Sequence, residues 1–120
     1  MTITLPFPPS VNNYWRNIVM GGKPRTIMSA KGREYRKLAE VAAATQHTGE
    51  RLDGRLRVSL ELHPPTLRKF DLDNFPKAVL DAVTHAGVWG DDSQVDRLEV
   101  LRCPKDKDNP RVVLTITAID

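Results

Sequence analysis

Cysteine is nearly absent from the sequence, because its 120 residues include a single one, Cys103. One thiol excludes an intramolecular disulfide and a zinc site built from several cysteines. No apolar run approaches the ~20 residues that a membrane-spanning helix needs. Residues 1–13 lack the basic start and the long apolar stretch of a signal peptide. We therefore expect a protein of the reducing cytoplasm that does not bind a membrane.

The composition is that of one globular domain. Hydrophobic residues make up 40% of the 120 positions, which is enough for a core and suits one domain over residues 1–120. The net charge of +3 is unevenly spread, since residues 1–70 carry 12 Lys and Arg against 5 Asp and Glu, whereas residues 71–120 carry 6 against 10. This asymmetry suits a protein that binds a polyanion and keeps a local acidic site, although scattered surface charge gives the same counts.

Hydrophobic periodicity predicts an α+β domain with a mixed sheet and two main helices. Ser29 is a candidate N-cap and Gly87 a candidate stop signal. The last two strands are joined by "PKDKDNP" and are expected to pair as an antiparallel hairpin. The predicted order is β-β-α-β-α-β-β, with strands at 3–7, 25–29, 55–63, 95–103 and 111–119 and helices at 30–47 and 74–86.

Two acidic clusters flank the second helix. The stretch "FDLDN" places Asp71 and Asp73 two positions apart, and "GDD" places Asp91 and Asp92 after the helix. Helix capping alone explains an aspartate at position 73, and aspartates in turns often serve the turn alone. Capping does not explain Asp71, so a divalent metal site is the second interpretation.

The spacing of these clusters limits how they can meet. If the next strand runs back along a helix at 74–86, Asp73 and Asp92 lie about 18 Å apart. Either the loop folds back or a partner chain brings the acids together. Lys77 lies four residues after Asp73 and four before Asp81, where it can neutralise a carboxylate, contact a phosphate or belong to a solvated salt-bridge stripe.

Three longer segments carry a family resemblance that covers most of the chain. "FDLDNFPKAVLDAV" is similar to a D-x-D-N…K…L-D-A-[LV] motif, "GDDSQV" to D-D-x-Q-[VI], and "LPFPPSVNNYWR" to a Pro-rich N-terminal motif. Together they resemble the RusA-type Holliday junction resolvases. The resemblance implies metal ligands at Asp71, Asp73 and Asp92, a functional Lys77, and a lesser role for Asp91. It also implies a homodimer that resolves four-way junctions by paired symmetric nicks in recombination and repair.

The chemistry of such an enzyme needs a divalent ion and no nucleotide cofactor. Carboxylate oxygens suit Mg²⁺, with Mn²⁺ as a substitute, and the ion would activate water and stabilise charge on the phosphate of branched DNA. The alternative is a non-catalytic DNA-binding protein whose acids cap helices or bind a structural metal. The candidate phosphate contacts, judged as a group, are Arg16, Lys31, Arg33, Arg36, Lys37, Arg68, Lys69 and Arg102.

Aromatic and histidine side chains have weaker functional signals. Tyr14, Trp15 and Phe70 are candidates to stack on unpaired bases, with core packing as the alternative for the first two. His63 and His85 are candidate bases, but neither has a metal-ligand spacing, so ordinary surface histidines are predicted at both positions.

Overall fold

The computed structural model of the protein describes residues 1–47 and 49–119. Within them, six strands and three α-helices follow the order β1 (Thr2–Pro6), α1 (Val11–Tyr14), β2 (Trp15–Met20), β3 (Lys23–Met28), α2 (Ala30–Gln46), β4 (Leu56–His63), α3 (Pro76–His85), β5 (Val95–Arg102) and β6 (Arg111–Ala118). Two 3₁₀ turns, Leu72–Asn74 and Asp92–Gln94, precede α3 and β5. None of the described helices is both long and apolar enough to cross a membrane.

Four strands form the main sheet, in the order β1-β6-β4-β5. β6 runs antiparallel to β1 and β4, whereas β5 runs parallel to β4. The expected antiparallel hairpin of the last two strands is therefore wrong, because β6 lies between β1 and β4. The physical reason is α3, which carries the chain back so that β5 can pair parallel to β4, and parallel neighbours need such a crossover. The α+β class with a mixed sheet is confirmed.

β2 and β3 form a separate two-stranded ribbon. Gly21 and Gly22 make its turn with φ angles of 61° and 76°, the left-handed backbone that a tight hairpin of this kind needs at both positions. The sequence predicted β3 at 25–29 but not β2. Both ribbon strands are mostly exposed, so they lack the alternation of a half-buried strand.

The hydrophobic core lies between the main sheet and helices α2 and α3. The alternation predicted for β4 is confirmed, since Leu56, Val58, Leu60 and Leu62 are buried and the residues between them are half-buried or exposed. The helices contribute mostly small side chains, which let them lie close to the sheet: Tyr35, Ala39 and Ala43 from α2, and Ala78, Val79, Ala82 and Val83 from α3.

The predicted helix signals are largely confirmed. The Ser29 hydroxyl accepts a hydrogen bond from the Gly32 N–H at 2.9 Å and caps α2. Gly87 ends α3 with a φ of 81°, and Val88 beyond it is buried. α3 begins at Pro76, two residues later than expected.

Gly32 lies where the first turn of α2 meets the end of α1. A Cβ at this position would lie 2.5 Å from the Tyr14 carbonyl oxygen and 2.9 Å from Met28 Cγ. The Tyr14 carbonyl is held in place because it accepts the Ser29 N–H at 2.9 Å. Close backbone contact therefore requires glycine here.

Gly32→Ala should lower the free energy of unfolding by about 1–2 kcal/mol. Overpacking costs roughly 1–3 kcal/mol, which exceeds the helix-propensity gain of roughly 1 kcal/mol. Urea unfolding measures the change. The matched control is Ala44→Gly at an exposed position of the same helix, which should lose about 1 kcal/mol through propensity alone. A Gly32→Ala protein more stable than wild type would contradict the close contact.

Candidate active site

The loop between β4 and α3 carries Asp71 and Asp73, both exposed. Asp73 lies in the Leu72–Asn74 turn, and the N-cap of α3 is Phe75, with no side-chain cap. The predicted capping role of Asp73 is therefore wrong. The 3₁₀ turn, in which the Asn74 N–H donates to the Asp71 carbonyl at 3.2 Å, delays the start of the helix. Helix capping therefore explains neither the Asp71 carboxylate nor the Asp73 carboxylate.

Asp73 and Lys77 line a cleft of about 560 Å³ to which Asp92 also contributes. The two acidic motifs therefore reach one cleft within a single chain. The cleft lies between α3 and the edge strand β5. Its other lining residues are apolar: Leu72, Pro76, Leu80, Leu98 and Val100.

Asp71 lines a different cleft, of about 1000 Å³, together with Asn13, Arg68 and Lys69. Within residues 1–47 and 49–119, the three aspartates do not form a group whose oxygens all lie within 4.8 Å of one another. One chain thus brings Asp73 and Asp92 to the same cleft without assembling the full set of three carboxylates.

Lys77 has no salt bridge among the described residues, and its Nζ lies 5.8 Å from the centroid of the Trp15 ring. The salt-bridge stripe considered for Lys77 and Asp81 is therefore wrong. Asp81 accepts the Tyr14 hydroxyl at 2.6 Å and lies 3.8 Å from Arg36. Asp81 therefore links α3 to Tyr14 and Arg36. The Lys77 ammonium has no salt-bridge partner in the described part of the chain and is available to bind an anion.

Asp91 and Asp92 have different surroundings. Asp91 caps the Asp92–Gln94 turn, and its carboxylate accepts the Ser93 hydroxyl at 2.6 Å. Hydrogen bonds, first that from Ser93, hold the pKa of the Asp91 carboxyl below its usual value. Turn chemistry therefore explains Asp91, whereas Asp92 is exposed and has no salt bridge in the described part of the chain.

Two residues that the sequence did not single out position this turn. The fully buried Trp89 donates its indole N–H to the Thr84 hydroxyl at 2.6 Å. The Gln94 amide donates to the carbonyls of Leu52 and Gly54 at 3.1 and 3.0 Å, and its oxygen accepts the Asp91 N–H. The sequence offered a signal for each of them. Trp89 stands just before the acidic turn, and Gln94 belongs to the motif "DDSQV".

The aromatic candidates divide into core and surface. Tyr14 is fully buried, so it cannot stack on a base. Trp15 is half-buried against Tyr14, with ring centroids 5.0 Å apart. Phe70 is half-buried and packs edge-on against Phe75 at 5.0 Å. The Arg102 guanidinium lies 4.1 Å from the Phe70 ring centroid and donates to the Phe70 carbonyl at 2.7 Å, which fixes the backbone next to Asp71.

Further basic candidates are exposed, but they differ in whether the side chain forms a hydrogen bond within the protein. Arg68 and Lys69 are exposed in the wider cleft, and Arg16 and Lys31 are exposed on β2 and α2. Arg33 is also exposed, but its guanidinium donates to the Met28 carbonyl at 2.8 Å.

Comparison with known proteins identifies the family. The family model described as "Endodeoxyribonuclease RusA" matches residues 6–117. The chain belongs to the RusA family of endodeoxyribonucleases. It is 40% identical over 116 residues to a crossover junction endodeoxyribonuclease RusA from Escherichia coli (strain K12), covering 97% of this chain and 92% of that protein. It is 43% identical over 119 residues to the corresponding enzyme of Enterobacteria phage 82, covering 96% and 92% of the two chains.

Asp91→Ala should lower the melting temperature at pH 7 by a few degrees, and this difference should shrink in acid. The lowered pKa means that the ionised carboxyl stabilises the fold above the unfolded value of about 3.9 and loses this effect as pH falls through the folded pKa. Thermal unfolding followed by circular dichroism from pH 7 to pH 3 measures it. Asp53→Ala is the control, because this exposed aspartate lies outside the turn, and it should change little at either pH. Equal, pH-independent losses in both variants would contradict the capping role.

Proposed function

We propose that this chain is a metal-dependent endonuclease that resolves four-way DNA junctions in the cytoplasm by paired symmetric nicks, in recombination and repair. Its relatives are named as crossover junction endodeoxyribonucleases, and they match almost the whole chain. The structural observation that carries the proposal is the cleft lined by Asp73, Lys77 and Asp92. None of these three side chains forms a salt bridge in the described part of the chain.

The ion we propose is Mg²⁺, with Mn²⁺ as a substitute, held by Asp71, Asp73 and Asp92. The donor set fits, because the three carboxylates are exposed, form no salt bridges among the described residues, and offer the hard oxygen ligands that these ions prefer. The bound ion would supply an activated water and stabilise the charge that develops on the phosphate.

Lys77 is proposed to contact the scissile phosphate. Its ammonium lies on the first turn of α3, in the same cleft as Asp73 and Asp92. An ammonium without a carboxylate partner keeps its donors for a phosphate oxygen. The half-buried Trp15 ring beside it restricts where the side chain can point.

Basic side chains around the acids would offset the repulsion between carboxylates and DNA. Arg68 and Lys69 line the same cleft as Asp71, and Arg102 anchors Phe70 next to it. Contacts from such residues to phosphates set position and affinity and do not read sequence. Arg16, Lys31 and Arg33 are proposed as further phosphate contacts, because all three are exposed.

A homodimer is proposed to complete the active site. Ligands about 2.0–2.1 Å from one Mg²⁺ lie within about 4.2 Å of one another, whereas the three aspartates of one chain do not meet even within 4.8 Å. Asp73 and Asp92 line the cleft from the two ends of α3, so a partner chain across the cleft would bring its own Asp92 to Asp71 and Asp73 of the first chain. The apolar cleft lining favours this occupant, since Leu98 is 42% exposed on an edge strand. Paired symmetric nicks in a four-way junction are related by a two-fold axis, which also suits a dimer with two-fold symmetry.

The non-catalytic alternative loses its main support. In its helix-capping form, that interpretation needs the acids at helix N-termini, but Asp73 caps no helix and Asp91 alone caps a turn. In its structural-metal form, it predicts junction binding without cleavage, so the cleavage assay separates it from the nuclease.

Asp73→Asn should slow junction cleavage at least about 100-fold, because a metal ligand is lost. Junction binding should stay the same or strengthen, since a negative charge near the phosphates is removed. A labelled four-way junction with Mg²⁺ measures cleavage, and a gel-shift assay with Ca²⁺ measures binding.

The matched control for this substitution is Asp91→Asn, which removes a charge that is also exposed, from a residue with a structural role. It should keep most of the cleavage rate, because asparagine caps a turn nearly as well as aspartate. Wild-type cutting by Asp73→Asn would remove Asp73 from the site, and equal losses in both variants would point to a general charge effect.

Mixing Asp73→Asn and Asp92→Asn chains should restore nicking that neither variant has alone. If Asp73 of one chain and Asp92 of the other share a site, half of the sites in a mixed dimer carry both wild-type residues. A nicking assay on mixed, refolded chains measures this restoration. Inactive mixtures of proven heterodimers would show that each site belongs to one chain.

Two substitutions on opposite faces of β5 test where the proposed dimer interface lies. Leu98 and Leu101 are 42% and 39% exposed and lie on opposite faces of β5, since their β4 partners are the buried Val58 and the half-buried Glu61. Leu98→Asp should yield monomers in sedimentation equilibrium, and Leu101→Asp should not. The reverse result would place the dimer interface on the other face of the sheet.

A further inference from the structure

Glu61, His63 and Cys103 meet on the face of the sheet that points away from the helices. Glu61 and His63 alternate with buried residues at the end of β4, and Cys103 directly follows β5. The parallel register pairs Leu62 with Arg102, and the Cys103 N–H donates to the Leu62 carbonyl at 2.9 Å. One ligand atom from each side chain lies within 4.8 Å of the other two, and all three residues are half-buried.

The hydrogen bond of His63 leaves the correct nitrogen free for a metal. Its Nδ1 lies 3.1 Å from the Pro104 carbonyl oxygen. A carbonyl only accepts, so Nδ1 carries the proton and Nε2 keeps its lone pair. Nε2 lies 4.0 Å from the Glu61 carboxylate. A histidine whose second nitrogen donates to a carbonyl is the usual arrangement of a metal ligand.

The surrounding charges permit a cation at this position. Arg111 is the β6 partner of His63, but its guanidinium bonds the Asp106 carboxylate at 2.9 Å and the Asn109 carbonyl at 3.1 Å. Its positive charge is therefore compensated away from the cluster. Metal binding at this position would release the Cys103 proton, because the thiolate is the form that binds a metal.

We propose that Glu61, His63 and Cys103 bind one Zn²⁺ per chain, with a water molecule as the fourth ligand. Sulfur, imidazole and carboxylate donors select Zn²⁺ over Mg²⁺, which prefers oxygen alone. Ligands about 2.0–2.3 Å from one zinc ion lie within about 4.6 Å of one another, and Glu61 and His63 already satisfy this limit at 4.0 Å.

This site is separate from the carboxylates of the proposed catalytic cleft. It joins the ends of β4 and β5, and the β4 end leads into the loop that carries Asp71. Arg102, next to Cys103, also holds that loop through the Phe70 carbonyl. Zinc would thus fix both strand ends that support the loop, and bound zinc should raise the melting temperature of the wild-type protein.

Cobalt substitution tests the proposal on the full chain. Because the chain has one cysteine, a thiolate-to-Co²⁺ charge-transfer band reports Cys103 alone. We expect the band to saturate at one Co²⁺ per chain and to disappear when Zn²⁺ is added. Cys103→Ser should lose the band, and His63→Ala and Glu61→Gln should weaken Co²⁺ affinity by about 10- to 100-fold or more.

Asp73→Asn is the matched control and should bind Co²⁺ at Cys103 with wild-type affinity, since it removes a carboxylate outside the cluster. Circular dichroism in excess chelator verifies that each variant folds. The absence of a charge-transfer band from the reduced wild-type protein at one equivalent of Co²⁺ would overturn the proposal. A band of wild-type affinity in both His63→Ala and Glu61→Gln would also overturn it, because the thiolate would then bind alone.

Discussion

Parallel pairing of β5 with β4 is the constraint from which the candidate active site follows. It requires α3 to carry the chain back over the sheet, so the two acidic turns stand at opposite ends of this helix. Ten residues of α-helix span about 15 Å. Both turns open on the cleft between α3 and β5, but the crossover keeps their carboxylates from closing around one ion within a chain. The dimer that we propose follows from this separation.

The sequence predicted the features that depend on local chemistry. The alternation in 55–63, the Ser29 cap and the Gly87 stop are each set by residues a few positions apart, and the structure confirms them. The acidic motifs were also visible, because family motifs keep residue types at fixed spacing. Both motifs line one cleft, from opposite ends of α3, and their roles as ligands stay a prediction.

Features that depend on distant partners were missed. Periodicity shows that 95–103 is a strand but not that it pairs with β4, and the hairpin expectation failed for that reason. The Asp73 cap failed because a 3₁₀ turn and an α-helical turn share sequence signals. His63 was predicted to be an ordinary surface histidine, since Cys103 is brought to it only by the strand register.

Cleavage of a labelled four-way junction, compared with a linear duplex of the same sequence, tests the central claim most directly. With Mg²⁺ and the wild-type protein, we predict symmetric nicks in two opposed strands of the junction, intact linear duplex, and no cleavage in excess chelator. Equal cutting of the linear duplex, or junction cleavage that persists without a divalent ion, would contradict the account.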